Sequence, residues 1–148
     1  MNKNNSKNLT KLWTCPKCGR KFLKKNQIHS CKLYPVEKHF EMKDFAKTLY
    51  NDLEATMNKQ IGPFYVESLP CCIHFVTSLA YTFAAVYALR DRIRIHFTLD
   101  HKLNSERIEK FSQISKTRFK YSIDIKSDNE INKELINWLK QAYYLKKQ

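Results

Sequence analysis

The sequence predicts an α+β fold: a mainly antiparallel sheet of about five strands, with an N-terminal and a C-terminal helix packed on one face (α-β5-α). A small cysteine- and histidine-bearing head precedes it. Three observations carry this prediction. Apolar residues recur at four-residue steps near both ends of residues 34–148. No comparable helical period appears in the sixty residues after Gly62, where short alternating runs take over. A cluster of cysteines with metal-ligand spacing stands ahead of the body.

Residues 1–11, rich in Asn and Lys, read as a flexible basic tail. Residues 12–33 hold Cys15 and Cys18 as a Cys-x2-Cys pair, with His29 and Cys31 ten residues further on as His-x-Cys. Three thiolates and an imidazole suit tetrahedral Zn²⁺, and four protein ligands leave no position for a reacting water. One structural zinc per chain is therefore expected, with His39 as an alternative to His29. Gly19 permits a left-handed turn just after the second ligand, while Trp13 and Phe22 flank it and could shield the metal.

The body, residues 34–148, opens with a predicted helix over 35–61. Phe45, Leu49, Leu53 and Met57 lie on one stripe, Pro35 suits its first turn, and Gly62-Pro63 ends it. Strands are expected at Phe64–Val66, Cys72–Val76, Tyr81–Leu89, Arg92–Leu99 and Phe119–Ile125. The fourth alternates cleanly between Ile93, Ile95, Phe97, Leu99 and Arg92, Arg94, His96, Thr98. Arg90-Asp91 fits a hairpin turn, and residues 105–115 read equally as a short helix or an irregular crossing. Ser127-Asp128-Asn129-Glu130 has the form of a capping box before a helix carrying Ile131, Leu135, Trp138, Leu139 and Ala142.

The charge is unevenly distributed. The net value is +13, yet residues 1–34 carry nine Lys or Arg and no acid. Lys17, Arg20, Lys21, Lys24 and Lys25 of the head therefore form a candidate polyanion-binding surface. Arg92, Arg94 and His96 are the second candidate, on the sheet face that the helices leave bare. No apolar run approaches a membrane span or a signal-peptide core, so no membrane partner and a cytoplasmic location are expected.

Enzyme chemistry finds little support. With only Gly19 and Gly62 the chain has no phosphate-cradling loop, and no carboxylate pair or Ser–His–Asp pattern stands out. Cys71 and Cys72 are adjacent on a predicted strand, so their side chains are expected on opposite faces, as small apolar residues. His74 would share the face of Cys72.

The residues Leu12-Trp13-Thr14-Cys15-Pro16-Lys17-Cys18-Gly19-Arg20-Lys21-Phe22, Asn26-Gln27-Ile28-His29-Ser30-Cys31 and Val36-Glu37-Lys38-His39-Phe40 resemble a largely bacterial family of domains of unknown function, numbered 5655. Trp138-Leu139-Lys140-Gln141-Ala142-Tyr143 is similar to that family's closing helix. The resemblance implies an α-β-α body and a metal-type head, and no activity. The expected function is a non-enzymatic zinc-binding protein that binds nucleic acid or another polyanion. The alternative is a protein-interaction or small-ligand module whose zinc is purely structural.

Overall fold

A computed structural model describes residues 12–29, 31 and 34–145, so the expected tail at 1–11 lies outside the described residues. The head contains two short antiparallel strands, β1 (Trp13–Thr14) and β2 (Lys21–Phe22). The body continues with α1 (Val36–His39), α2 (Asp44–Gln60), β3 (Tyr65–Ser68), β4 (Ile73–Val76), β5 (Thr82–Ala88), β6 (Ile93–Leu99), β7 (Ile108–Ser115), β8 (Arg118–Ile125) and α3 (Lys133–Leu145). Strands β3 to β8 form one antiparallel sheet in the order β3-β4-β5-β6-β8-β7.

The α+β class and the antiparallel sheet agree with the sequence reading, with two corrections. The sheet has six strands rather than about five, because residues 108–115 form an edge strand. Seven of its eight residues are exposed, so no buried alternation marks it in the sequence. The helix expected over 35–61 is two helices. Met42 adopts φ +63 and breaks the hydrogen-bond ladder between α1 and α2.

Alternation decides how the layers meet. Ile93, Ile95, Phe97 and Leu99 of β6 are buried, and so are Phe119, Tyr121, Ile123 and Ile125 of β8. These residues pack into one cluster with Ala46, Leu49, Leu53 and Met57 of α2 and with Leu135, Trp138, Leu139 and Ala142 of α3. Both long helices therefore cover the same sheet face. The Arg90-Asp91 turn is closed by Leu89 N–H donating to the Arg92 carbonyl at 2.9 Å. The capping box is present as well: Glu130 Oε1 accepts from Ser127 N–H at 3.2 Å, on a short 3₁₀ turn (Asp128–Glu130) before α3. Leu135 N–H then donates to Asn132 Oδ1 at 3.1 Å at the start of α3.

The opposite face carries no helix among the described residues. Cross-strand partners place Glu67, His74, Ala85, His96, Ser122 and Lys110 in one row running from β3 across to β7. A neighbouring row holds Tyr87, Arg94 and Asp124. Lys120 lies opposite Thr98, so it shares this face with Arg94 and His96.

Candidate metal centre and the open sheet face

In the head, the turn after Cys15 is set by Gly19 N–H donating to the Cys15 carbonyl and Cys15 N–H donating to the Arg20 carbonyl, both at 2.9 Å. Gly19 has φ +77, as expected after the second ligand. The donor atoms of Cys15, Cys18, His29 and Cys31 all lie within 4.8 Å of one another. Cys15 Sγ is 3.6 Å from Cys31 Sγ, and His29 Nε2 is 3.3 Å from Cys18 Sγ and 3.2 Å from Cys31 Sγ. A zinc–sulfur bond of about 2.3 Å implies a tetrahedral sulfur–sulfur edge of about 3.8 Å, close to these separations.

The tautomer of His29 fits the same use. Nδ1 faces the Gln27 carbonyl, which can only accept, so Nδ1 carries the proton and Nε2 presents its lone pair to the thiols. Phe22 packs on the imidazole at 4.4 Å and Trp13 meets it edge-on at 6.2 Å. The backbone N–H of Cys18, ahead of that of Lys17, draws the Cys15 thiol down to about 6. The neighbouring Cys15 then pushes Cys31 up to about 11. Without an ion Cys15 thus opposes the ionisation of Cys31, whereas a dication favours all the thiolates bound to it. His39 is not among the donors. Its Nε2 meets Ser68 Oγ at 3.0 Å, which ties α1 to β3 and removes it as an alternative to His29.

The head leans on the edge strand β3. Arg20 Nε approaches Glu67 Oε1 at 3.6 Å, and Lys21 Nζ sits 5.0 Å above the Tyr65 ring. Arg20 also lies over Phe22 at 5.0 Å, and Lys21 donates to Thr14 Oγ1 at 2.9 Å. Lys17, Lys24 and Lys25 are exposed and form no ion pair among the described residues.

The other basic candidates have partners. Asp124, whose side chain is only 3% exposed, accepts from Arg94 Nε at 2.6 Å, Arg94 Nη2 at 2.9 Å and Arg92 Nη1 at 3.2 Å. Arg92 also pairs with Asp91 at 3.0 Å. Burial, reinforced by Lys120 and Arg94, holds His96 below the ordinary imidazole range, so it presents a neutral ring at pH 7. Lys110 and Lys120 on this face are exposed and form no ion pair among the described residues.

The Arg94 hydrogen bonds, opposed by burial, hold the Asp124 carboxyl below the usual carboxylate range. A depressed folded-state value stabilises the fold above the unfolded carboxylate range and loses that contribution as pH falls through the folded value. Asp124→Asn is therefore expected to lower the melting temperature at pH 7. The gap to the parent should shrink below about pH 4, where the parent's carboxylate also protonates. Thermal melts across pH check this, and a gap that widens on acidification would contradict it.

Sequence reasoning missed two features. The first is a shallow cavity of about 200 Å³ over Ala85, lined by His74, Tyr87, His96, Thr98 and Lys120. Ala85 separates two cross-strand histidines, and a small residue between large ones leaves the depression. His96 Nδ1 and Ser122 Oγ, opposite each other near it, are buried without hydrogen-bond partners among the described residues. The second is the arrangement of Cys71 and Cys72. They do not point to opposite faces: their sulfurs are 3.1 Å apart, within 4.8 Å of a His74 nitrogen. The strand begins only at Ile73, and Leu69 N–H donates to the Cys72 carbonyl at 2.9 Å, so Pro70-Cys71 is a hairpin corner. Pro70 was the available signal.

No helix among the described residues is long and apolar enough to cross a membrane. No curated protein and no solved structure matches the chain. The family model for a domain of unknown function (DUF5655) matches residues 36–146. The match begins at Val36, and the head motif stands ahead of the matched residues. With three quarters of its length matched, from α1 to the end of α3, the chain belongs to the DUF5655 family.

Proposed function

We propose that the protein is a non-catalytic zinc-binding module that grips single-stranded nucleic acid through its basic head and the lysine-bearing part of its open sheet face. The observation that carries this reading is the fate of the charges. Glu67 and Asp124, the buried acids of the open face, are engaged by arginines, whereas Lys17, Lys24, Lys25, Lys110 and Lys120 are exposed and without ion pairs among the described residues. Zinc would hold the head lysines at the β3 edge. Lys120 on β8 is four strand spacings away, about 19 Å, a reach suited to an extended strand of phosphates. Arg92 and Arg94 would contribute through the face they build with Asp124 more than as free cations.

Fluorescence anisotropy with labelled single-stranded RNA and with duplex tests this. The expected result is binding in the range of about 1–100 µM near physiological salt, tightening as salt falls, with weak sequence preference. Neutralising Lys21, Lys24 and Lys25 should weaken every sequence alike and flatten the salt slope by about 0.7 per lost phosphate contact. Absence of binding at tens of micromolar in low salt would overturn the proposal.

A second reading has its own observation. His96 Nδ1 and Ser122 Oγ beside the cavity over Ala85, without partners among the described residues, favour a small-ligand module with a purely structural zinc. Ligand binding that is insensitive to salt and lost in His96→Ala would support it.

A further inference from the structure

We propose that Cys71, Cys72 and His74 form a second metal site, for a soft cation such as Zn²⁺ or Cu⁺, at the β3–β4 hairpin. Three donors of the kind soft metals select, two sulfurs and one imidazole, lie within 4.8 Å of one another. The hairpin makes this possible. Cys72 precedes β4 with its side chain on the open face, His74 is on that face two residues later, and Cys71 at the corner folds back beside Cys72. The two sulfurs, 3.1 Å apart, need to open by only about 0.7 Å to reach a tetrahedral edge. Cys71 lies in an exposed turn and is free to make that adjustment.

The surroundings are those of a metal site. Glu67 stands directly across the strand pair from His74. Arg20 of the head in turn approaches Glu67 at 3.6 Å, so the strand bearing Glu67 is braced from outside. Carboxylates placed behind ligating histidines fix ring orientation and raise ligand basicity. Three protein donors leave the fourth position open. It would face the cavity that His74 and Tyr87 share with His96 and Lys120, giving an outside ligand a route to the metal. Packing alone accounts for Cys72, which is 1% exposed, but it gives no reason for a second thiol at the exposed corner.

The test titrates Co²⁺ into full-length, metal-stripped protein kept reduced by a phosphine, reading the thiolate-to-cobalt charge-transfer absorption. The parent should saturate at two ions per chain. Cys71→Ser/Cys72→Ser should saturate at one, and Cys15→Ser/Cys18→Ser should retain the other, with a weaker charge-transfer band because fewer thiolates bind it. Saturation of the parent at one ion, or two ions retained by Cys71→Ser/Cys72→Ser, would overturn the proposal. Because Cys72 is buried and its replacement can disturb folding, the parent supplies a second readout. Alkylation of Cys71, mapped by peptide mass, should slow about tenfold or more when Co²⁺ is present. An unchanged rate would overturn the assignment irrespective of any variant.

Discussion

Trp138→Ala is expected to destabilise the body by about 3–5 kcal/mol, within reach of the whole stability of a small domain. Trp138 is 6% exposed on α3 and stacks on Phe97 of β6, with ring centres 6.0 Å apart and planes at 22°. Arg107 places its guanidinium 5.7 Å above the same indole. From there Arg107 donates to the Glu130 carbonyl, Asn132 Oδ1 and Glu134 Oε1, so the segment entering β7 is tied to the start of α3 through this ring. Alanine leaves a cavity between helix and sheet and removes the surface on which the arginine rests. Equilibrium denaturation should show the loss, and a change below about 1 kcal/mol would mean that α3 does not pack as described.

Disrupting the Cys15, Cys18, His29 and Cys31 cluster should act on a different region. Structural zinc sites carry apparent binding energies of about 10–16 kcal/mol near neutral pH, and that energy is also the folding energy of the segment they close. Leu23 and Ile28 of the head are exposed, leaving Trp13, Phe22 and Cys15 as a very small apolar centre. In Cys18→Ser, amides of residues 12–29 should lose hydrogen-exchange protection. Those of β6, whose apolar residues sit in the helix–sheet core, should keep theirs. The Arg20–Glu67 contact would go with the head, so only β3 amides should change in the sheet. Global unfolding on loss of Cys18 would contradict a body with its own core.

The parts of this structure legible in the sequence are those where one physical pattern acts alone. β6 alternates because one face meets helices and the other meets solvent, and its four apolar residues are buried as that pattern requires. The Cys15, Cys18, His29 and Cys31 cluster was legible because ligand spacing is a local property. β7 was not, because an exposed edge strand is specified by its partner β8, and Phe111 and Ile114 stay largely exposed on it. The break at Met42 left no glycine or proline to mark it. The cavity over Ala85 depends on the register of β4, β5 and β6, which brings His74 and His96 to either side of one small residue from twenty-two positions apart. Likewise, Asp124 takes up Arg92 and Arg94 from the neighbouring strand, so charge counting along the chain could not reveal that they are paired.

The most direct test of the metal-tied head is native mass spectrometry of the full chain purified without chelator, with cysteine labelling on the same sample. The account predicts a chain carrying zinc, at least one ion of which persists in Cys71→Ser/Cys72→Ser and is lost in Cys18→Ser, with Cys15, Cys18 and Cys31 shielded from alkylation while it is bound. A chain at its metal-free mass, with those three cysteines freely labelled, would contradict it.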